Sequence, residues 1–204
     1  MFSLEDLLGD QLGDQAIGQI SQNLGADSST VNSAIQLALP MILSGLAKNA
    51  QEPQGAESLN SALEADQHGG LIDNLMGYLG GGIPTPQQAT RQTNGSGILE
   101  HIFGGKQMQI ANEVSRKSGL DAGQVAQLLI TLAPIVMGFL GKKKQQENLG
   151  ADGLSNWLGA QQQQMQSSGN PIMDMISGAL DRDGDGSAMD DLASMAFGYF
   201  TKGK

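Results

Sequence analysis

The residues best suited to chemistry lie close together near the C-terminus. Positions 181–192 read Asp-Arg-Asp-Gly-Asp-Gly-Ser-Ala-Met-Asp-Asp-Leu. Asp181, Asp183 and Asp185 alternate, so a tight loop turns all three carboxylates toward one point. Gly186 permits the sharp turn there, and the carbonyl of Ser187 falls where a calcium loop supplies its backbone oxygen. A hard cation favours such clustered oxygens, whereas without one three carboxylates within five residues repel one another. Asp190 and Asp191 are the remaining oxygen donors. The expected ligand set is Asp181, Asp183, Asp185, Ser187, Asp190 and Asp191, and the expected cofactor is Ca2+.

The loop departs from the EF-hand pattern where it should close. Its twelfth position is Leu192 rather than a bidentate glutamate. Asp190 or Asp191 must close it, as in shortened or divergent EF-hand-like loops, and misplaced ligands imply weaker affinity. A purely structural reading stands beside this one: an acidic turn that caps the last helix, with Ser187 and Asp190 as a capping box. The helix after the loop carries Met189, Leu192, Met195, Ala196 and Tyr199 along one face.

Other constellations carry less. His68 and His101 are the only histidines, and they lack the spacing of a metal-binding pair. Glu5 and Glu100 recur at equivalent positions, but in the first turn of a short helix, where an acid complements the dipole. Residues 17–31 have the cadence of a helix-turn-helix, yet the would-be recognition helix has no Arg or Lys before Lys48. No nucleophile elbow, phosphate loop or dinucleotide fingerprint is visible, so the chain reads as a non-enzyme. Lys142, Lys143 and Lys144 are expected to end a long helix, where cations favour the negative terminus, or else to dock onto the acidic first unit or an anionic partner.

The formal charge of −10 is uneven. Residues 1–95 carry ten acids against two bases, residues 96–180 six against six, and residues 181–204 five against three. An acidic surface repels phosphate backbones, which argues against a nucleic-acid partner. The absence of cysteine excludes disulfides and thiol chemistry. The N-terminus MFSLEDLLGDQ shows no secretory signal, making the cytoplasm the default expectation.

Placing these residues requires helices. Sustained alternation is missing and β-branched residues are sparse, so the expected class is all-α. Val31–Leu46 and Val125–Leu140 are uncharged apolar runs with a central proline (Pro40, Pro134), and each follows an aspartate suited to N-capping (Asp27, Asp121). At a constant offset of 94, Ser21/Ser115, Gly25/Gly119, Val31/Val125 and Lys48/Lys142 also coincide. That pattern is an internal duplication. Each run is expected to be a buried central rod rather than a membrane span, because it is short and contains polar residues. Proline removes an i→i−4 hydrogen bond, so a kink or break is expected within each rod.

The expected organisation is helical unit 1 (1–80), a flexible linker (81–96), helical unit 2 (97–180) and an EF-hand-like loop with a C-terminal helix (181–204). Two tandem copies of a small multi-helix unit could have separate cores or share one. Residues 159–170, GAQQQQMQSSGN, read as a surface loop. The short helix 71–79 and its counterpart 172–180 share Asp73/Asp174, Gly77/Gly178 and Leu79/Leu180. Such short, methionine-containing helices could offer apolar surface to a protein partner or to self-association.

The Leu-Gly-Ala-Asp helix end (24–27), the Leu-Pro within a long apolar helix (39–40), the following Gly-rich helices and the acidic tail resemble the bacterial domain-of-unknown-function family 937 over essentially the whole chain. The resemblance implies a helical bacterial protein and transfers no activity. The expected function is a structural or interaction module stabilised by one calcium ion. The alternative is a calcium-responsive binding protein in which the metal docks the C-terminal helix.

Overall fold

The computed structural model describes residues 7–65, 75–80 and 94–167. Eight α-helices account for most of them: α1 Asp10–Leu24, α2 Ser28–Ala50, α3 Pro53–Ala65, α4 Leu75–Gly80, α5 Gly95–Phe103, α6 Gln107–Ser118, α7 Ala122–Glu147 and α8 Ala151–Ser167. A 3-10 turn, Gly104–Lys106, joins α5 to α6. The described residues contain no strand.

The long helices α2 and α7 are held at their starts by equivalent devices. Gly25 (φ 62°, ψ 34°) and Gly119 (φ 86°, ψ 0°) stop α1 and α6 in the left-handed region that glycine adopts without steric cost. Two residues later, the Asp27 carboxylate accepts the amides of Ser29 (3.0 Å) and Thr30 (3.3 Å). Asp121 accepts the Gln124 amide at 2.8 Å while the Gln124 side chain accepts the Asp121 amide at 3.1 Å, a complete capping box. The Gln124 side-chain amide also donates to the Leu24 carbonyl (3.1 Å), tying the start of α7 to the end of α1.

Between these caps α2 and α7 are apolar on almost every side, so neighbours must wrap them. They pack on each other, and both contact α1, α3, α5 and α6. Helix α8 lies on α2 and α3. Ile35 and Leu39 of α2 and Leu128 and Leu132 of α7 are each fully buried, in one continuous cluster drawn from both halves of the chain. By length and composition α2 and α7 could each cross a membrane, with windows of mean hydropathy 1.4 and 1.7, but 72% and 67% of those windows are buried in protein here.

Neither proline breaks its helix. Pro40 and Pro134 are buried inside continuous α2 and α7, where packing on every side offsets one missing hydrogen bond. The carbonyl deprived of its partner by Pro134 belongs to Ile130, four residues earlier. A methyl group built at Gly95 would lie 1.9 Å from that oxygen, so only glycine lets the start of α5 approach it.

Two further expectations are corrected. Residues 159–167 are the second half of α8 rather than loop, since Gln, Ala and Met are good helix formers and the helix has a surface to lie on. The Ser155 hydroxyl donates to the Ala50 carbonyl at 2.7 Å, fixing α8 against the end of α2. The lysines Lys142–Lys144 do not end α7, which continues to Glu147 and places only Lys144 in its last turn.

Candidate binding cleft

A cleft of about 770 Å³ opens where the end of α2, helix α3 and helix α5 meet. Three local features shape it. Gly45 lets α5 lie close on α2, because a methyl there would meet Ile102 Cγ2 at 2.5 Å and the Phe103 ring at 2.9 Å. Gly55 lets α3 fold back beneath α2, where a methyl would lie 1.9 Å from the Asn49 carbonyl oxygen. Asn49 donates its side-chain amide to the carbonyls of His101 (2.7 Å) and Ile102 (3.4 Å), satisfying acceptors that the end of α5 leaves open. At the other end of α5, the Asn94 side chain caps the Gly97 amide at 3.1 Å.

The floor is apolar: Leu46 from α2, Leu59 from α3, Ile102 from α5 and Met137 from α7 are all buried. The rim is exposed and polar, with Lys48, Glu52, Ser58, Ser61 and His101. The cleft volume falls within the roughly 300–1,000 Å³ of small-molecule and side-chain pockets, with an apolar floor ringed by a few polar groups. An apolar group placed there would gain desolvation energy from the floor and orientation from the rim.

The six expected metal ligands, Asp181, Asp183, Asp185, Ser187, Asp190 and Asp191, lie outside the described residues, as do His68 and Glu5. Among the described residues no three His, Asp or Glu side chains come together as a metal site. His101 stands on the cleft rim, and Glu100 accepts the side-chain amide of Gln107 (2.8 Å) across the turn into α6. The lysine run ties α7 to its neighbours. Lys144 pairs with Glu64 of α3 at 2.8 Å, holding that carboxyl below its usual range, while Lys143 pairs with Glu147 at 2.5 Å and lies 5.9 Å from the Trp157 ring centroid.

Of the short helix expected at 71–79, the described part α4 buries Leu75 and Leu79 and packs on α1, leaving Met76 partly exposed. Those two leucines are spent within the fold, while residues 71–74 lie outside the described residues. The cleft itself escaped the sequence reading, because its walls come from segments about 50 residues apart. The only local signals were glycines at 45, 55 and 97 within helical pattern.

The protein is thus an all-α molecule built on two buried rods, with an apolar-floored cleft among its described residues. The chain belongs to the family "Bacterial protein of unknown function (DUF937)", whose profile matches residues 6–143. No curated protein and no solved structure matches it. The match contains every cleft residue and stops before α8 and the acidic loop, so it covers less of the chain than the sequence resemblance implied.

Proposed function

We propose that the protein is a non-enzymatic interaction module that holds an apolar side chain or short segment of a protein partner in the cleft between α2, α3 and α5. The observation that carries this reading is the buried floor of Leu46, Leu59, Ile102 and Met137 beneath a polar rim, all within the family match. An apolar fluorescent dye such as anilinonaphthalene sulfonate tests it. Ala62 of α3 is a half-buried residue of the cleft lining, so saturable one-site binding that Ala62→Arg abolishes without loss of helical signal supports the cleft. Binding unaffected by Ala62→Arg, or none at all, rejects it.

The module is, in this reading, a tandem duplication. Its support is the shared offset of 94 together with paired features: the left-handed stops Gly25 and Gly119, the caps Asp27 and Asp121, and the buried prolines Pro40 and Pro134. One calcium ion at Asp181, Asp183, Asp185, Ser187 and Asp190 or Asp191 completes the proposal, supported by the ligand spacing alone. The second reading, in which that metal docks the C-terminal helix, draws on the same spacing. Melting curves with calcium, magnesium and chelator decide whether the ion belongs there. A calcium-specific rise in Tm, absent in Asp183→Ala/Asp185→Ala, supports the site, and no shift up to millimolar calcium reduces the loop to a helix-capping turn.

A further inference from the structure

Helix α8 delivers the rest of the chain to the corner of the cleft. The Ser155 hydroxyl ties α8 to the Ala50 carbonyl, and farther along, the Gln51 side-chain amide donates to Gln162 Oε1 at 3.4 Å. Gln51 lies between Asn49 and Glu52, both of which line the cleft. Ser167, the end of α8, is five residues beyond Gln162, about 7.5 Å along the helix axis. Residues 168–204 lie outside the described residues. The four residues 168–171 span up to about 14 Å, enough to return to this corner even where the last turn of α8 points directly away from it.

The cleft selects the form of its occupant. Its walls are the helices α3 and α5, whose backbone groups bond within their own helices, so it offers an extended segment no ladder of free amides and carbonyls. A helix arrives with its backbone already satisfied. Gly55, Ser58 and Ala62 on α3 and Gly97 on α5 are small, which lets a third helix settle above the apolar floor. From Gly55 to Ala62, and from Asn94 to His101, each wall runs about 10.5 Å, the length of two helical turns. Residues 170–180 read Asn-Pro-Ile-Met-Asp-Met-Ile-Ser-Gly-Ala-Leu. Asn170 before Pro171 is a helix start, and at helical spacing Ile172, Met175, Ile176 and Ala179 share one side, opposite Asp174, Ser177 and Gly178. Nearer segments suit the floor less well: residues 81–93 have Ile83 as their one large aliphatic residue, and residues 66–74 must join Ala65 to Leu75, which α4 seats against α1.

We infer that residues 171–180 of this chain occupy the cleft between α3 and α5 as a short amphipathic helix, with Ile172 and Ile176 on the floor, so that a protein partner binds by displacing them. The inference rests on the cleft reading above and adds its regulation. A tether this short holds the segment at roughly millimolar effective concentration, so even weak intrinsic affinity keeps the cleft covered for much of the time. A competing ligand then binds with an affinity reduced by the fraction of time the cleft is free.

The full chain is suited to a direct test because it has no cysteine of its own. A nitroxide on Ser61→Cys, an exposed position on the cleft rim, should erase most of the intensity of the Met173 and Met175 methyl resonances. A nitroxide on Asn112→Cys of α6, away from the cleft, should leave them sharp. Ile172→Asp/Ile176→Asp should abolish the effect of the rim label and tighten binding of anilinonaphthalene sulfonate by roughly threefold or more, and a synthetic peptide of residues 170–181 should then displace the dye. If the dye binds parent and double variant equally, still sensitive to Ala62→Arg, and the Met173 and Met175 signals ignore the rim label, this inference is overturned while the cleft reading stands. If the dye binds neither form, the cleft reading fails and the inference falls with it. Broadening of Met189 and Met195 in place of Met173 and Met175 assigns the cleft to the last segment of the chain, and broadening seen only when labelled and isotope-bearing chains are mixed assigns it to a second copy. Either result overturns the inference.

Discussion

The Tyr78 hydroxyl is buried without a hydrogen-bond partner among the described residues, and burial pushes the phenol up to about 12 from its ordinary 10.0. The folded state therefore holds this proton more tightly than the unfolded chain. Stability from the group is fully present below pH 10 and is lost as pH rises toward 12, by up to roughly 3 kcal/mol at 1.36 kcal/mol per unit. Tyr78→Phe removes the orphaned hydroxyl and its titration. Chemical denaturation should find the variant as stable as the parent at pH 7, or more stable by about 1 kcal/mol, with a shallower decline above pH 10. An equally steep decline would place the alkaline sensitivity elsewhere. Asp27 behaves in the opposite sense. The Ser29 hydroxyl, then the Thr30 and Ser29 amides, hold its carboxyl below the usual range, so its contribution is present at neutral pH and fades as acid protonates it.

At the scale of the helices, close approach is governed by which atoms face a glycine. A methyl at Gly95 meets the backbone carbonyl of Ile130, whereas one at Gly45 meets the movable side chains of Ile102 and Phe103. Gly95→Ala must push α5 away from α7, while Gly45→Ala can be absorbed by rotation of two side chains. Overpacking of this kind costs about 1–3 kcal/mol, and Gly95→Ala should fall at or above the top of that range. Urea denaturation should rank Gly95→Ala as clearly the less stable of the two, and the reverse order would mean that α5 yields more easily than the rings do. Because α5 forms one wall of the cleft, Gly95→Ala should also weaken dye binding.

At the scale of the molecule, the contacts run across the two halves of the chain. Helix α8 lies on α2, and α6 packs on both rods. Trp157, the single tryptophan, therefore reports from α8 on a core to which α2 contributes. Ile35→Ala in α2 and Leu128→Ala in α7 each remove a fully buried side chain, at a cost of about 2–5 kcal/mol. Both should shift the Trp157 fluorescence transition and the helical signal together. A Trp157 transition that ignores Ile35→Ala would separate the molecule into two independently unfolding units.

The sequence by itself determined what depends on neighbours in the chain. Helical class, the stops at Gly25 and Gly119, the caps at Asp27 and Asp121, and the burial of the two rods follow from period, propensity and local hydrogen bonding. It misjudged elements that tertiary contacts rescue. Pro40 and Pro134 are carried within unbroken helices by surrounding packing, and residues 159–167 are helical where composition suggested loop. Only the tertiary structure decided the cleft, because its floor joins Leu46, Leu59, Ile102 and Met137 from four helices. Only it brought the freed carbonyl of Ile130 against Gly95. Each of those approaches joins residues far apart in sequence, and no periodicity or spacing encodes which helix faces meet; the packing of the shared core does.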